Sequence, residues 1–248
     1  MSPLALRTVA LCKSFGSLGV AQDIAIALPR GVRYALIGPN GAGKTTLINL
    51  ITGTLEPDSG QILLDDNDIT AFSPDRRVKR GLARTFQINT LFPDLEPLEA
   101  VTLAICEREG IAATWWRRLA SFSAVVDEAY GILSSLNLAA VCTRPTRELA
   151  YGQQRLVEIA LALATKPKVL LLDEPAAGVP RQDSGELFEA ITNLPADISV
   201  LFIEHDMELV FRFASRVIVM VGGRLLVEGT PAEIAADLRV REVYLGHG

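Results

Sequence analysis

The chain has 248 residues, 49% of them hydrophobic and 21% charged, with a formal net charge of −5. That size and composition support a globular protein of one large domain, or of one domain with an insertion. The acidic balance gives bulk electrostatics no reason to favour nucleic acid, although a total leaves a local basic patch open.

The opening MSPLALRTVALCKSF carries too short an apolar run, and too early a charge, for a signal peptide. VALCKSF, DIAIALP and RYALIG are short apolar or alternating runs broken by Gly, Pro and charge, so the first third reads as strands. KTTLINLITGTL has apolar residues at helical spacing and ends near Gly53. GQILLDD (60–66) is a further strand, introduced by the turn EPDSG. From about Pro93 to Arg147 the periodicity turns helical, through PLEAVTLAICERE and FSAVVDEAYGILSSLNL. A helix QQRLVEIALALATKP follows and stops at Pro167. KVLLLDEP (168–175) and ISVLFIEHD (198–206) are buried strands separated by the helix SGELFEAITNL. RVIVMVGGRLLVEG (216–229) reads as a hairpin over Gly222–Gly223, and PAEIAADLRVREVYLGHG as helix with one polar side. Strands alternating with helices predict a mainly parallel α/β sheet with a helical insertion. No run approaches the roughly 20 apolar residues of a membrane span. Cys12, Cys106 and Cys142 lie far apart with no CxxC pair, which suits a reducing compartment. A cytoplasmic location is therefore the expectation.

GPNGAGKTT (Gly38, Pro39, Asn40, Gly41, Ala42, Gly43, Lys44, Thr45, Thr46) fits G-x-x-x-x-G-K-[ST] between a predicted strand and a predicted helix. Glycines let successive backbone amides turn inward around a phosphate, and the helix N-terminus behind them adds a favourable dipole. Lys44 is placed to reach the β- and γ-phosphates, and the Thr45 hydroxyl to ligate Mg²⁺. VLLLDEP ends a central strand with Asp173 and Glu174, and ligands of α/β sheets bind beyond such carboxyl ends. Asp173 is the candidate Mg²⁺ partner, and Glu174 the candidate to polarise or deprotonate a water. A bare Asp–Glu after a strand is commonly a solvated turn; the phosphate loop reverses that reading. His205, at the end of VLFIE, could reach a γ-phosphate, though a lone strand-end histidine is more often a surface residue. Gln87 closes ARTFQ where the strand pattern gives way to helix, and could offer its carbonyl to Mg²⁺ or water.

In this order the pieces resemble the ATP-binding subunit of an ABC transporter over nearly the whole chain. They run Phe15, the loop 38–46, Gln87, LAYGQQ at 149–154, VLLLDE at 169–174, and His205. The resemblance implies a P-loop NTPase (RecA-like) core with an N-terminal antiparallel β-subdomain and a helical insertion subdomain. Its implied boundaries are 1–87, 88–155 and 156–248, the middle one carrying the signature. It implies that Phe15 stacks on adenine, that Gln87 senses the γ-phosphate, and that His205 contacts it. LAYGQQ falls where the family carries its LSGGQ signature, so Gly152 and Gln153 are implied to meet the ATP held by a second subunit, head to tail. A helix beginning near Gln153 would present amides and a positive end to that γ-phosphate.

LAYGQQR, RTFQ, DEPAAG, IEHDM and VREVYLG together resemble the branched-chain amino acid type of importer ATPase, whose relatives serve urea, other small solutes or lipopolysaccharide export. The implied cofactors are ATP and Mg²⁺. The implied partners are a second ATPase (a paralogue or a second copy), two membrane permeases and, indirectly, a periplasmic or lipid-anchored solute-binding protein, with no nucleic acid. The implied location is peripheral, on the cytoplasmic face of the bacterial inner membrane. Trp115–Trp116–Arg117–Arg118, within the insertion, is a candidate permease contact and equally a helix end. A DNA-repair or translation ATPase is disfavoured by the single phosphate loop and the short insertion, and a non-hydrolysing regulator by the full complement of site residues. Two departures stand out. Ala150 and Tyr151 replace the common Ser and Gly, and Pro180 stands where the family places Asp or Asn, which removes a polar contact across the dimer and predicts unequal nucleotide sites.

Overall fold

The computed structural model describes residues 3–85, 92–111 and 123–245. In chain order the elements are β1 (Leu4–Phe15), β2 (Leu18–Ile24), β3 (Ala27–Pro29), β4 (Arg33–Ile37), α1 (Lys44–Thr52), β5 (Ser59–Leu64), β6 (Asn67–Asp68), α2 (Pro74–Lys79) and β7 (Leu82–Arg84). There follow α3 (Pro97–Arg108), α4 (Ser123–Ser135), α5 (Tyr151–Ala164), β8 (Val169–Asp173) and α6 (Arg181–Thr192). The chain closes with β9 (Ser199–Ile203), α7 (Met207–Phe213), β10 (Arg216–Val221), β11 (Arg224–Gly229), α8 (Pro231–Ala236) and α9 (Leu238–Leu245). Two compact units result. One gathers Met1–Leu82, Lys168–Pro175 and Pro195–Gly248; the other gathers Ala83–Pro167 and Ala176–Leu194.

In the first unit the larger sheet runs β11-β10-β4-β9-β8, and β10, β4, β9 and β8 run parallel. β4 is buried at all five positions because it lies inside this sheet, so its sequence RYALI shows no alternation. Each fully buried aliphatic side chain here, such as Leu36, Leu171 or Leu201, contributes about 1.5–3 kcal/mol. The other sheet is antiparallel, ordered β2-β1-β5-β6 with β3 also on β1. In the second unit α3, α4 and α5 pack on one another and α6 packs on α5. Val101, Ile105, Ala129, Leu133, Val157 and Phe188 are fully buried there. No described helix is long and apolar enough to cross a membrane.

DIAIALP does not form one strand. The buried Thr8 hydroxyl accepts the Ile26 N–H at 2.9 Å and donates to the Ile24 carbonyl at 3.0 Å, which breaks the run into β2 and β3. The tail likewise splits into α8 and α9 at Asp237. SGELFEAITNL begins its helix three residues early, at Arg181, with Pro180 as the N-cap. Two helices have no counterpart in the sequence reading: α2, with four charges in six residues, and α7, started by Asp206, whose Oδ1 accepts the N–H groups of Glu208 and Leu209.

Arg77 of α2, 2% exposed, closes the end of α1. Its guanidinium donates to the carbonyls of Leu50 (2.7 Å), Ile51 (2.6 Å), Thr70 (2.7 Å) and Phe72 (2.9 Å). Two of these are last-turn carbonyls of α1, of which Leu50's also accepts the N–H of the C-cap Gly53 at 3.2 Å. Arg77→Met is expected to destabilise the protein by about 3 kcal/mol, since it strands several acceptors at once. Urea unfolding checks this; a loss below about 1 kcal/mol would place the cap elsewhere.

Candidate functional site

β4 delivers the chain to Gly38, and α1 starts at Lys44 with Gly43 as N-cap and no side-chain cap. The first-turn N–H groups of α1 therefore have no carbonyl of their own helix to bond. Gly43 has φ 102°, and a Cβ there would fall 2.4 Å from the Val20 carbonyl oxygen and 2.8 Å from the Met220 methyl. Only glycine fits. The loop is thus packed from behind while its exposed side is open: a Cβ on Gly41 would meet nothing within 4 Å. Lys44, 7% exposed, folds over the loop and donates to the carbonyls of Gly38 (2.7 Å) and Pro39 (3.1 Å). Burial pushes its pKa down; Glu174 and then Asp173 push it back up, so both carboxylates act on this ammonium. Amide donors, an uncapped helix start and a buried cation form a donor set that fits a polyphosphate.

Asp173 ends β8 and pairs in register with Ile203 of β9. Glu174 turns sharply out of the strand at φ 50°, an uncommon conformation for a residue with a Cβ. Its N–H donates to the Ile203 carbonyl at 3.1 Å, and its Oε1 lies 2.8 Å from His205 Nε2. His205 follows β9, where its own N–H donates to the carboxylate of the buried Glu204 at 3.1 Å. Glu174 is thus fixed at its backbone by Ile203 and at one carboxylate oxygen by His205. Thr45 and Thr46 sit in the first turn of α1. Thr45 and Asp173 supply one hydroxyl and one carboxylate, a set that suits Mg²⁺ completed by phosphate oxygens and water. Phe15, half exposed at the end of β1, has the Lys13 ammonium 5.9 Å from its ring centroid. Gln87, Trp115–Arg118 and His247 lie outside the described residues.

The loop has neighbours that no motif announced. Gly223, in the turn between β10 and β11, donates to the Ala42 carbonyl at 3.0 Å and accepts from the Gln22 N–H at 2.7 Å. Near the end of α9, burial pushes the Tyr244 phenol up in pKa, and a hydrogen bond from the Gly38 N–H pulls it back. Both contacts join residues far apart in the chain, so only the fold reveals them.

In the second unit α5 starts at Tyr151, two residues before the position the sequence predicted. Gly152 and Gln153 thereby fall in its first turn. The Gln153 Oε1 accepts the Ala150 N–H at 3.1 Å, and the Gln154 amide donates to the Leu149 carbonyl at 3.0 Å. Further along α5, Arg155 and Glu158 form a buried ion pair of 3.0 Å. Burial pushes the Glu158 carboxyl up to about 7 from 4.5, against the hydrogen bond and charge of Arg155. The folded protein therefore holds a proton in that window which the unfolded chain releases, and stability falls as pH rises through it. This group is expected to withdraw on the order of 3 kcal/mol of stability by pH 8 relative to pH 4. Glu158→Gln should flatten that slope in urea midpoints taken across the range; an unaltered slope would remove Glu158 as its source.

Comparison with known proteins places the chain among relatives. A family model described as ABC transporter matches residues 21–177, and one described as branched-chain amino acid ATP-binding cassette transporter matches residues 224–248. The chain is 36% identical to the high-affinity branched-chain amino acid transport ATP-binding protein LivG of Escherichia coli K12, over 99% of both chains. It is 33% identical to a probable branched-chain amino acid transport ATP-binding protein of Methanocaldococcus jannaschii, over 97% of both. A crystal structure of the ADP conformation of an ABC transporter cassette superposes with a TM-score of 0.86 at 33% identity, covering 98% of this chain and 99% of that one.

Proposed function

Because the chain belongs to the ABC transporter family, as one of its ATP-hydrolysing subunits, we propose that it powers uptake of branched-chain amino acids. The observation that carries the solute is the second family match, which covers the C-terminal stretch 224–248. That stretch includes Gly229, α8 and α9, outside the phosphate loop and the Asp173–Glu174 strand that ABC ATPases of other cargo would also need. Full-length relatives whose names specify branched-chain amino acid transport support the same reading.

In this reading ATP sits on Gly38–Thr46 with its adenine on Phe15. Lys44 binds the β- and γ-phosphates, while Thr45, Asp173 and Gln87 hold Mg²⁺, which neutralises phosphate charge when bound. Glu174 accepts the proton of the attacking water, and His205 holds Glu174 and meets the γ-phosphate. The γ-phosphate's remaining side is covered by Gly152 and Gln153 of a second ATPase subunit, head to tail, so closure depends on ATP and hydrolysis releases it. Two membrane permeases follow that motion from the cytoplasmic face of the inner membrane, and a solute-binding protein supplies them.

The test is reconstitution of the chain with its permeases, second ATPase and solute-binding protein in lipid vesicles. Leucine, isoleucine or valine on the binding-protein side is expected to raise ATP turnover severalfold and to accumulate in the vesicles. Stimulation by urea but none of these three would move the chain to the urea branch. Stimulation only by a lipopolysaccharide would make it an exporter subunit and overturn the proposal.

A further inference from the structure

Tyr151 and Arg155 stand one turn apart on α5, and both meet the loop 176–179 that begins two residues after Glu174. Arg155, 7% exposed, donates through Nη2 to the Ala177 carbonyl at 3.3 Å and to the Tyr151 hydroxyl at 3.5 Å. Its guanidinium carbon lies 5.5 Å from the Tyr151 ring centroid. The ring covers Gly178, where a Cβ would fall 2.9 Å from the Tyr151 hydroxyl and 3.0 Å from its Cε1 and Cζ. Gly178 also has φ 79°, so glycine is required there twice over. Beside it Gly152 approaches Val179, with 3.6 Å between a built Cβ and the Val179 Cγ1. Three successive loop residues, Ala177 to Val179, are therefore held against the first turns of α5.

The ion pair behind this contact is incompletely satisfied. Arg155 Nε and Glu158 Oε1 are buried without a hydrogen-bond partner. A buried pair with idle donors and acceptors is a poor source of stability, and apolar residues of similar size would serve packing as well. What an apolar replacement cannot supply is the fork that reaches Glu158, Ala177 and Tyr151 together.

We propose that Tyr151 and Arg155 are positioning residues that lock the loop 176–179 to the start of α5. The signature turn and the segment leaving Glu174 then move as one piece when two subunits close on ATP. The proposal rests on the assignment of Gly152 to the second subunit's nucleotide. It also accounts for the tyrosine, whose phenol is engaged by its own chain while the backbone of the helix start remains for the partner's phosphate.

Arg155→Lys separates this role from packing, because lysine keeps a charge beside Glu158 and loses the fork to Ala177 and Tyr151. In the reconstituted transporter it is expected to keep a near-native unfolding midpoint and to lose about tenfold in ATP turnover at saturating ATP, as small misplacements of reacting groups do. Tyr151→Ala should lose a similar factor, and the double variant no more than the worse single one, since both break one clamp. Wild-type turnover in a folded Arg155→Lys, or losses that multiply in the double variant, would overturn the proposal. Gly152→Asp, measured alongside, tests the underlying assignment. If it turns over ATP normally, the signature reading fails; if it is inactive while Arg155→Lys and Tyr151→Ala are normal, the clamp alone fails.

Discussion

Glu174→Gln is expected to lower ATP turnover by a factor of about a hundred or more while leaving ATP bound. The amide keeps the volume of the carboxylate and can still pair with His205 Nε2, 2.8 Å away in the native protein. What it loses is basicity, and general-base catalysis by a placed carboxylate contributes about 10²–10⁴ in rate. Because nucleotide contacts are untouched and their removal by hydrolysis stops, ATP-bound dimers should accumulate. Phosphate release and gel filtration with ATP read the two halves separately. A variant that hydrolyses ATP at the native rate would rule out Glu174 as the water-activating group, whatever its backbone geometry.

Lys44→Ala acts earlier, on binding. The ammonium is already desolvated and held over the loop by the Gly38 and Pro39 carbonyls, so little side-chain entropy remains to be lost when a phosphate arrives. Hydrogen bonds to charged groups contribute about 1.5–3 kcal/mol each. Removing the ammonium should therefore weaken ATP binding by roughly ten- to a hundredfold, a shift that direct titration with nucleotide resolves. Turnover would fall in consequence. Unaltered affinity would contradict the cradle, and normal affinity with lost turnover would move Lys44 from binding to chemistry.

The parts of the molecule that could be read in the sequence are those whose physics is local. GPNGAGKTT states its own geometry, since glycine spacing, an adjacent buried strand and a following apolar helix all lie within about twenty residues. VLLLDE does the same for the carboxylates. Residues whose conformation is set by a distant partner were not legible. DIAIALP alternates like one strand, and only Thr8, on a different strand, divides it. α2 has no apolar periodicity because its one buried side chain is Arg77, whose bonds run to α1 and to the residues between them. The Ala150–Tyr151 departure was visible, and the packing of Tyr151 was not, since Gly178 lies more than twenty residues further on. Pro180 marks the same limit: its absent donor is evident in sequence, yet in the fold it caps α6 with its carbonyl, accepting the N–H groups of Asp183 and Ser184.

The turn at Gly222–Gly223 has a consequence for how this chain can change. Two-residue hairpin tips are ordinarily places where homologous proteins gain and lose residues freely and where tags are spliced in. Here the tip is wedged: Gly223 is bonded on one side to Ala42 and on the other to Gln22, and a Cβ on it would stand 3.0 Å from the Val20 backbone. One extra residue would displace the support behind the loop Gly38–Thr46. The hairpin's length is thus fixed by the loop Gly38–Thr46, whose Ala42 carbonyl it holds, and not by the pairing of its own two strands.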